Sequence, residues 1–177
     1  MRATYVAAGI TLFNLAEGGT TTYAALPSSS PPVPDRPLPL PGANVDAAIA
    51  KSPKLLLVSY PSNDTSSGYS VDETVNNFLR IRAAAQSSGV SVIILSTQPL
   101  SLPRAQLDLL PQIDARLAAA VAPCFVPVRE ALSAPDGTLA AQYDSGDHLH
   151  PNDAGHAVIA SMVRSVIDSG QCVRVRP

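Results

Sequence analysis

The chain has 177 residues, of which 46% are hydrophobic and 15% charged, and its formal net charge is −2. A chain of this length can bury a sizeable core, and we expect one domain over residues 1–177. The near-neutral charge gives no reason to expect a nucleic acid or an anionic membrane as partner, and no protein partner is evident. No apolar run approaches the roughly 20 residues of a membrane-spanning helix.

The first residues are interpreted as the end of a helix, followed by a turn at Gly9. The sequence "ITLFNL" after this glycine predicts the first strand. Residues 27–42, "PSSSPPVPDRPLPLPG", contain seven prolines. Because proline fixes φ and lacks a backbone N–H, this segment predicts an extended surface loop within the domain. A recognition motif for a proline-binding partner is the alternative.

From residue 43 onward, apolar strands alternate with helical segments. Continuous apolar runs at 54–60 and 90–96 predict strands that are buried on both faces, and "CFVPV" at 124–128 predicts a third. Helical patterns cover residues 43–52, 70–89, 103–121 and 153–168. This alternation predicts an α/β fold, in which helices cover both faces of a parallel sheet. Ligands bind such sheets outside the carboxyl ends of the strands.

Local signals set the bounds of several helices. Ser70 and Glu73 fit a capping box at the start of the helix over 70–89. Asn152 predicts the N-cap of the last helix. Pro111 predicts a kink or a break within residues 103–121, because proline cannot donate to the helical ladder.

All three histidines lie in one short stretch, "GDHLHPNDAGH" at 146–156. Asp147 stands three residues before His150, so its carboxylate can accept the imidazole Nδ1 proton and leave Nε2 free as a base. A metal site that uses His148, His150 and His156 is the alternative. A turn follows His150 immediately and no Cys or His elsewhere completes a ligand set. We therefore favour the acid–base pair and expect His148 and His156 to pack or hydrogen-bond locally.

Two further segments would lie at the same edge of the predicted sheet. "NLAEGGTTTY" at 14–23 places paired glycines after the first strand, where the backbone can turn sharply and present a bare N–H. "PSND" at 61–64 follows the next strand, where Asn63 can direct its side-chain amide across the edge. Each segment alone is also compatible with an ordinary turn.

Together and in this order, the three segments resemble the sequence blocks of the SGNH hydrolases, also called GDSL-type esterases and lipases. The resemblance spans residues 9 to 168 and implies a flavodoxin-like, three-layer α/β/α fold. It implies an esterase that forms an acyl-enzyme on a serine, with Asp147 and His150 completing the triad. It also implies that Gly19 and Asn63 donate hydrogen bonds to the oxyanion. No cofactor is implied, and the substrate would be a small-molecule or carbohydrate ester.

The sequence departs from the pattern of this family at two places. The block that carries the nucleophile, a Gly-Asp-Ser-like turn, is not found: "AAGITL" has Thr11 at the matching place, and Ser28, Ser29 and Ser30 stand in the proline-rich loop. Pro61 and Ser62 occupy the positions before Asn63, where a glycine is usual. We therefore expect an SGNH domain that lacks its first strand and is inactive or very weakly active. The alternative is a non-catalytic, ligand-binding pseudoenzyme on the same fold.

The two cysteines, Cys124 and Cys172, fit no metal motif, and free thiols and a disulfide are both compatible with the sequence. If the resemblance places the strands correctly, Cys124 begins a strand at the sheet edge opposite the site. Cys172 would follow the last helix to that same edge. A disulfide is then geometrically feasible, and it would suit a secreted or periplasmic protein.

Overall fold

The structure, a computed structural model, describes residues 4–7, 9–60 and 62–173 of the chain. Its strands are Thr4–Ala7 (β1), Ile10–Phe13 (β2), Leu55–Ser59 (β3), Ser91–Leu95 (β4) and Phe125–Val126 (β5). Its helices are Thr22–Ala25 (α1), Val45–Ile49 (α2), Asn63–Ser66 (α3), Val71–Ser87 (α4), Arg104–Leu107 (α5), Leu110–Val121 (α6), Val128–Leu132 (α7) and Asp153–Asp168 (α8). A short 3-10 helix covers Ala141–Tyr143.

A parallel sheet with the order β3-β4-β5 forms the centre of the fold. All five residues of β4 are buried, as expected for a strand that is covered by helices on both faces. In sequence, α4 lies between β3 and β4, and α6 lies between β4 and β5, because parallel neighbours need a crossover connection. The predicted α/β class with a parallel sheet is confirmed.

The two faces of β4 belong to two different parts of the core. Val92 and Ile94 pack in one cluster with apolar residues of α4 and α6. Ile93 and Leu95, which point the opposite way because side chains alternate along a strand, pack in the other cluster. That second cluster includes residues of α7 and α8. The result is a layer of helices on each side of the sheet.

The helix end predicted before Gly9 was wrong, whereas the turn at Gly9 and a strand directly after it are confirmed. β1 and β2 form an antiparallel hairpin, in which Ala7 is opposite Ile10. Residues 4–7 are therefore a strand and not the end of a helix, and β2 pairs with β1 instead of joining the parallel sheet. The four residues of β2 are all exposed, so no core face determines their place in the sheet. Gly9 has φ +75°, which suits the tight reversal between two strands.

Two of the predicted strands are shorter or more open than their patterns predicted. Leu57 of β3 is 42% exposed, so this strand is not buried on both faces. In the described part of the chain it pairs with β4 alone, which makes it an edge strand. β5 covers only two residues of the predicted 124–128, because Pro127 lacks an N–H for the ladder and α7 begins directly after it.

The predicted helix over 43–52 is limited to α2, which Asn44 caps by accepting the Ala47 N–H at 3.0 Å. Residues 103–121 divide into α5 and α6, and Pro111 lies in the first turn of α6, where a missing N–H costs nothing. The capping box of Ser70 and Glu73 is confirmed at the start of α4.

The proline-rich segment 27–42 is a loop, and one arginine fixes it to the helical layer. The Arg36 Nε donates to Glu73 Oε1 at 2.8 Å, and its guanidinium carbon lies 4.1 Å from the centre of the Tyr69 ring. The Tyr23 hydroxyl donates to the same Glu73 oxygen at 3.1 Å. The hydrogen bond from Arg36 lowers the pKa of Glu73 to about 2. The Glu73 carboxylate therefore stays ionised at every pH near neutrality, and its ion pair with Arg36 holds the loop.

A disulfide joins Cys124 and Cys172, with their Cα atoms 5.4 Å apart. It connects the start of β5 with the segment that follows α8, at the edge opposite the carboxyl ends of the strands. Of the two states that the sequence left open, free thiols and a disulfide, the structure has the disulfide. No helix in the described ranges combines the length and the apolar character needed to cross a membrane.

Replacing both cysteines by serine should lower the free energy of unfolding by about 2–4 kcal/mol, because a cross-link across 48 residues restricts the unfolded chain. Urea denaturation of the double variant against the wild type measures this difference. Wild-type protein in reductant is the control and should match the variant. Alkylation of the denatured protein at both cysteines without prior reduction, or an unchanged unfolding midpoint, would contradict the prediction.

Candidate active site

Loops from three parts of the chain meet at the carboxyl-terminal edge of the sheet. Ser62, after β3, lies with its hydroxyl 3.4 Å from the hydroxyl of Thr97, which follows β4. Further along the loop after β4, the Ser101 N–H donates to the His148 carbonyl at 3.2 Å. These contacts connect the segment of Asn63 to the segment that holds the histidines.

The histidine-containing loop, residues 144–151, is closed at its base. Asp144 and Pro151 form an antiparallel bridge, and the Ser145 N–H donates to the His150 carbonyl at 3.0 Å. Asn152 caps α8, as predicted, by accepting the Gly155 N–H at 3.1 Å. A Cβ at Gly155 would lie 2.9 Å from the Cβ of Pro151, so only glycine allows the helix to approach the loop this closely.

Asp147 and His150 are in direct contact. The imidazole Nδ1 of His150 lies 2.6 Å from Asp147 Oδ2. The other oxygen, Oδ1, accepts the N–H groups of Leu149 at 2.9 Å and His150 at 2.8 Å. The hydrogen bond with His150 holds the pKa of Asp147 well below its usual range. This arrangement orients the ring with Nδ1 as the donor and Nε2 free for chemistry.

A second Asp–His pair lies in the same loop. His148 Nδ1 is 2.7 Å from Asp144 Oδ2, and the His148 side chain is 80% exposed. The expectation of a local hydrogen bond for His148 is confirmed. His156 lies on the exposed surface of α8. In the ranges that the structure describes, no three His, Cys, Asp or Glu side chains converge on a point where a metal ion could bind. The metal alternative therefore gains no support.

Gly19 and Asn63 lie in segments that touch each other. The Asn63 side-chain Nδ2 donates to the Thr20 carbonyl at 2.9 Å, which places this amide next to the glycine turn. Gly19 has φ +74°, a conformation that residues with a Cβ rarely adopt. Within the described residues, the Gly19 N–H and the second Nδ2 hydrogen of Asn63 have no acceptor. Both groups remain available as donors.

A buried carboxylate, which the sequence analysis missed, ties these two segments together. Asp64, 2% exposed, accepts the Thr22 N–H at 2.8 Å and the Thr22 hydroxyl at 2.5 Å. It also accepts the Thr74 hydroxyl at 3.1 Å, and Asn77 donates to the Thr22 hydroxyl at 3.0 Å. Burial raises the pKa of Asp64, whereas the bonds from Thr22 lower it. The signal in the sequence was the acid directly after Asn63, together with threonines near both segments.

The structure does not bring all the predicted site residues into contact. In the described part of the chain, no hydrogen bond joins His150 to Gly19, to Asn63 or to a serine hydroxyl. The serines of the proline-rich loop are engaged elsewhere. Ser28 binds Asp46 and Asn44, and Ser30 accepts from Arg80 at 3.0 Å.

A model of the GDSL-like lipase/acylhydrolase family matches residues 2–158. The chain belongs to this family. The resemblance that the three sequence blocks indicated is thus confirmed, and with it the hydrolase class and the α/β fold. No curated protein matches the chain.

Solved structures of GDSL-family and related hydrolases share the fold. A candidate acylhydrolase from Bacteroides fragilis has 22% identity and a TM-score of 0.61, over 71% of this chain and 66% of that one. A GDSL-like lipase from Bacteroides thetaiotaomicron has 21% identity and a TM-score of 0.61, over 71% and 67%. An acetylxylan esterase from Geobacillus stearothermophilus has 19% identity and a TM-score of 0.55, over 72% and 65%. The chain spans about two thirds of the length of these relatives.

Asp64→Ala should lower the free energy of unfolding by about 3 kcal/mol or more, because it leaves the Thr22 N–H and two threonine hydroxyls in the core without an acceptor. The matched control is Asp72→Ala, which removes a 76% exposed carboxylate from α4 and should cost about 1 kcal/mol or less. Urea denaturation compares the two variants. Equal losses would show that Asp64 is not the main tie between the segments.

Proposed function

We propose that this GDSL-family chain is a serine-type carboxylic-ester hydrolase, or the acid–base and oxyanion part of one, in which His150 is the general base. The observation that carries the proposal is the contact of 2.6 Å between His150 Nδ1 and Asp147 Oδ2. A carboxylate in this position fixes the neutral tautomer with a free Nε2 and stabilises the imidazolium that forms during the reaction.

The reaction follows from this pair. A serine oxygen attacks the ester carbonyl carbon while its proton passes to His150 Nε2. The same proton then passes to the oxygen of the leaving alcohol as the carbon–oxygen bond breaks and an acyl-enzyme remains. Water repeats the sequence, with His150 taking its proton, and the acid is released. Asp147 remains ionised throughout, which the low pKa of its carboxyl supports.

Gly19 and Asn63 would stabilise the oxyanion. The Gly19 N–H and the second Nδ2 hydrogen of Asn63 are free donors, and the bond from Asn63 to the Thr20 carbonyl holds both segments together. Donors that are already oriented before the charge develops act without further reorganisation. The substrate that fits this chemistry is a small-molecule or carbohydrate ester.

A non-catalytic, ligand-binding role on the same fold is the second candidate. It is favoured by the lack of any serine hydroxyl hydrogen-bonded to His150 within the described residues. A fluorophosphonate probe separates the two functions, because it labels a serine only where a base activates it. The labelled peptide, identified by mass spectrometry, would name the nucleophile. No labelling would favour the binding role.

His150→Gln should abolish most of the ester hydrolysis that the chain catalyses, because glutamine cannot act as a base. Release of 4-nitrophenol from 4-nitrophenyl acetate is the measurement, and the variant should retain only the residual rate of about 10³–10⁴ over water that remains when one member of a triad is removed. His156→Gln, which removes an exposed imidazole from α8, is the matched control and should keep the wild-type rate. Equal rates in the two variants would exclude His150 as the base.

Asn63→Ala should lower kcat for the same ester by about 10²–10³, the usual loss for one oxyanion donor. The matched control is Asn76→Ala, which removes an exposed amide from α4 and should leave kcat unchanged. Thermal unfolding of both variants separates a loss of donor from a loss of fold. A folded Asn63→Ala protein with wild-type kcat would contradict the oxyanion role.

A further inference from the structure

The loop that carries His150 has no regular secondary structure, and two carboxylates supply most of its internal acceptors. Asp147 Oδ1 accepts the N–H groups of the last two residues before the turn, Leu149 and His150. Asp144 Oδ1 does the same for the first half, accepting the N–H of Gly146 at 2.8 Å and that of His148 at 3.0 Å. The path of the backbone between them is therefore set by side chains.

Asp144 is itself rigidly held. Its side chain is only 8% exposed, whereas that of Asp147 is 49% exposed. The Asp144 carbonyl accepts the Asn152 Nδ2 at 3.1 Å, and Asn152 is the N-cap of α8. Asp144 also forms the bridge with Pro151. The backbone of Asp144 is thus fixed to the start of α8, and its carboxylate is bound to N–H groups in the centre of the loop.

The conformation of His148 shows what this carboxylate does to the backbone. His148 has φ +59°, in the left-handed region that residues other than glycine rarely adopt. Two bonds to Asp144 hold it there, one from its N–H at 3.0 Å and one from its Nδ1 at 2.7 Å. Asp147 directly precedes this residue, so the direction of the Asp147 side chain depends on the same turn.

We propose that Asp144 is a positioning residue for the acid–base pair. By accepting the N–H groups of Gly146 and His148, it fixes the turn that brings Asp147 Oδ2 onto the Nδ1 of His150. The role of His148 is to cover the buried carboxylate, while its own ring stays exposed. The inference rests on the proposed function only in naming His150 as the base, since the contact between Asp147 and His150 is a feature of the structure itself.

The test reads the tautomer of His150 by long-range ¹H–¹⁵N correlation spectra of the histidine rings, at a pH where they are neutral. The wild type should show the Nδ1–H form of His150. Asp144→Ala, which removes both backbone acceptors, should convert it to a mixture of tautomers. Asp144→Asn keeps an oxygen at the position of Oδ1 and should restore the wild-type spectrum. A role confined to folding stability would not change the ratio of tautomers in a folded protein.

His156 in the same spectra is an internal reference, and Asp153→Asn, in the first turn of α8, is the matched control and should change nothing. If Asp144→Ala does not fold, Asp144→Ser replaces it, because a hydroxyl can accept only part of the two N–H bonds. A folded Asp144→Ala protein with the wild-type His150 spectrum would overturn the proposal. Equal loss in Asp144→Ala and Asp144→Asn would overturn it as well.

Hydrolysis of 4-nitrophenyl acetate is the second readout. Asp144→Ala should lower kcat by about tenfold to 10²-fold with KM unchanged, because a small displacement of the base affects the reaction more than binding. Asp144→Asn should recover the rate. If the wild-type chain has no esterase activity, as expected of a domain without its nucleophile, the ring spectra alone decide the role of Asp144.

Discussion

The arrangement of the candidate site depends on one buried carboxylate, Asp64. It accepts hydrogen bonds from α1, which follows the glycine turn, and from α4, which follows β3 in the sequence. A carboxyl group with 2% exposure is costly to bury unless its oxygens have hydrogen-bond partners. Because Thr22 and Thr74 bind this carboxyl group, their hydrogen bonds hold two segments that are distant in sequence at the same point.

This tie determines where the proposed oxyanion donors lie. Asn63 is adjacent in sequence to Asp64, and the Thr20 carbonyl that it contacts is two residues from Thr22. Neither Gly19 nor Asn63 belongs to a strand of the sheet. Their mutual position therefore comes from side-chain hydrogen bonds. The same holds for the histidine-containing loop, where the carboxylates of Asp144 and Asp147 accept the backbone N–H groups that a regular element would otherwise pair.

The sequence was a good guide wherever local chemistry determines structure. The buried strand β4, the capping box at Ser70 and the N-cap at Asn152 follow from an apolar run and short polar motifs, and all three are present. The contact between Asp147 and His150 could also be predicted, because an i,i+3 spacing before a helix cap leaves few paths for the backbone. The roles assigned to Gly19, Asn63, Asp147 and His150 stay predictions.

What the sequence did not predict depends on contacts between distant segments. The segment "ITLF" has the apolar pattern of a core strand, yet all of β2 is exposed. It pairs with β1 across the tight turn at Gly9, and that pairing needs no core face. Leu57 belongs to a continuous apolar run, yet it is 42% exposed, and in the described residues β3 has β4 as its one neighbouring strand. Asp64 was overlooked because an acid after an asparagine is common in turns, and its partners lie 10 and 42 residues away.

The proline-rich loop has a thermodynamic consequence of its own. Seven prolines between residues 27 and 42 restrict the backbone of the unfolded chain as well as that of the folded one. Ordering this segment therefore loses less conformational entropy than ordering a flexible loop of equal length. The segment is then held at separate points, by Arg36 with Glu73 and Tyr69, by Ser28 with Asp46 and Asn44, and by Ser30 with Arg80. The stiffness of the segment exists before folding, and these contacts have only to fix its direction on the folded domain.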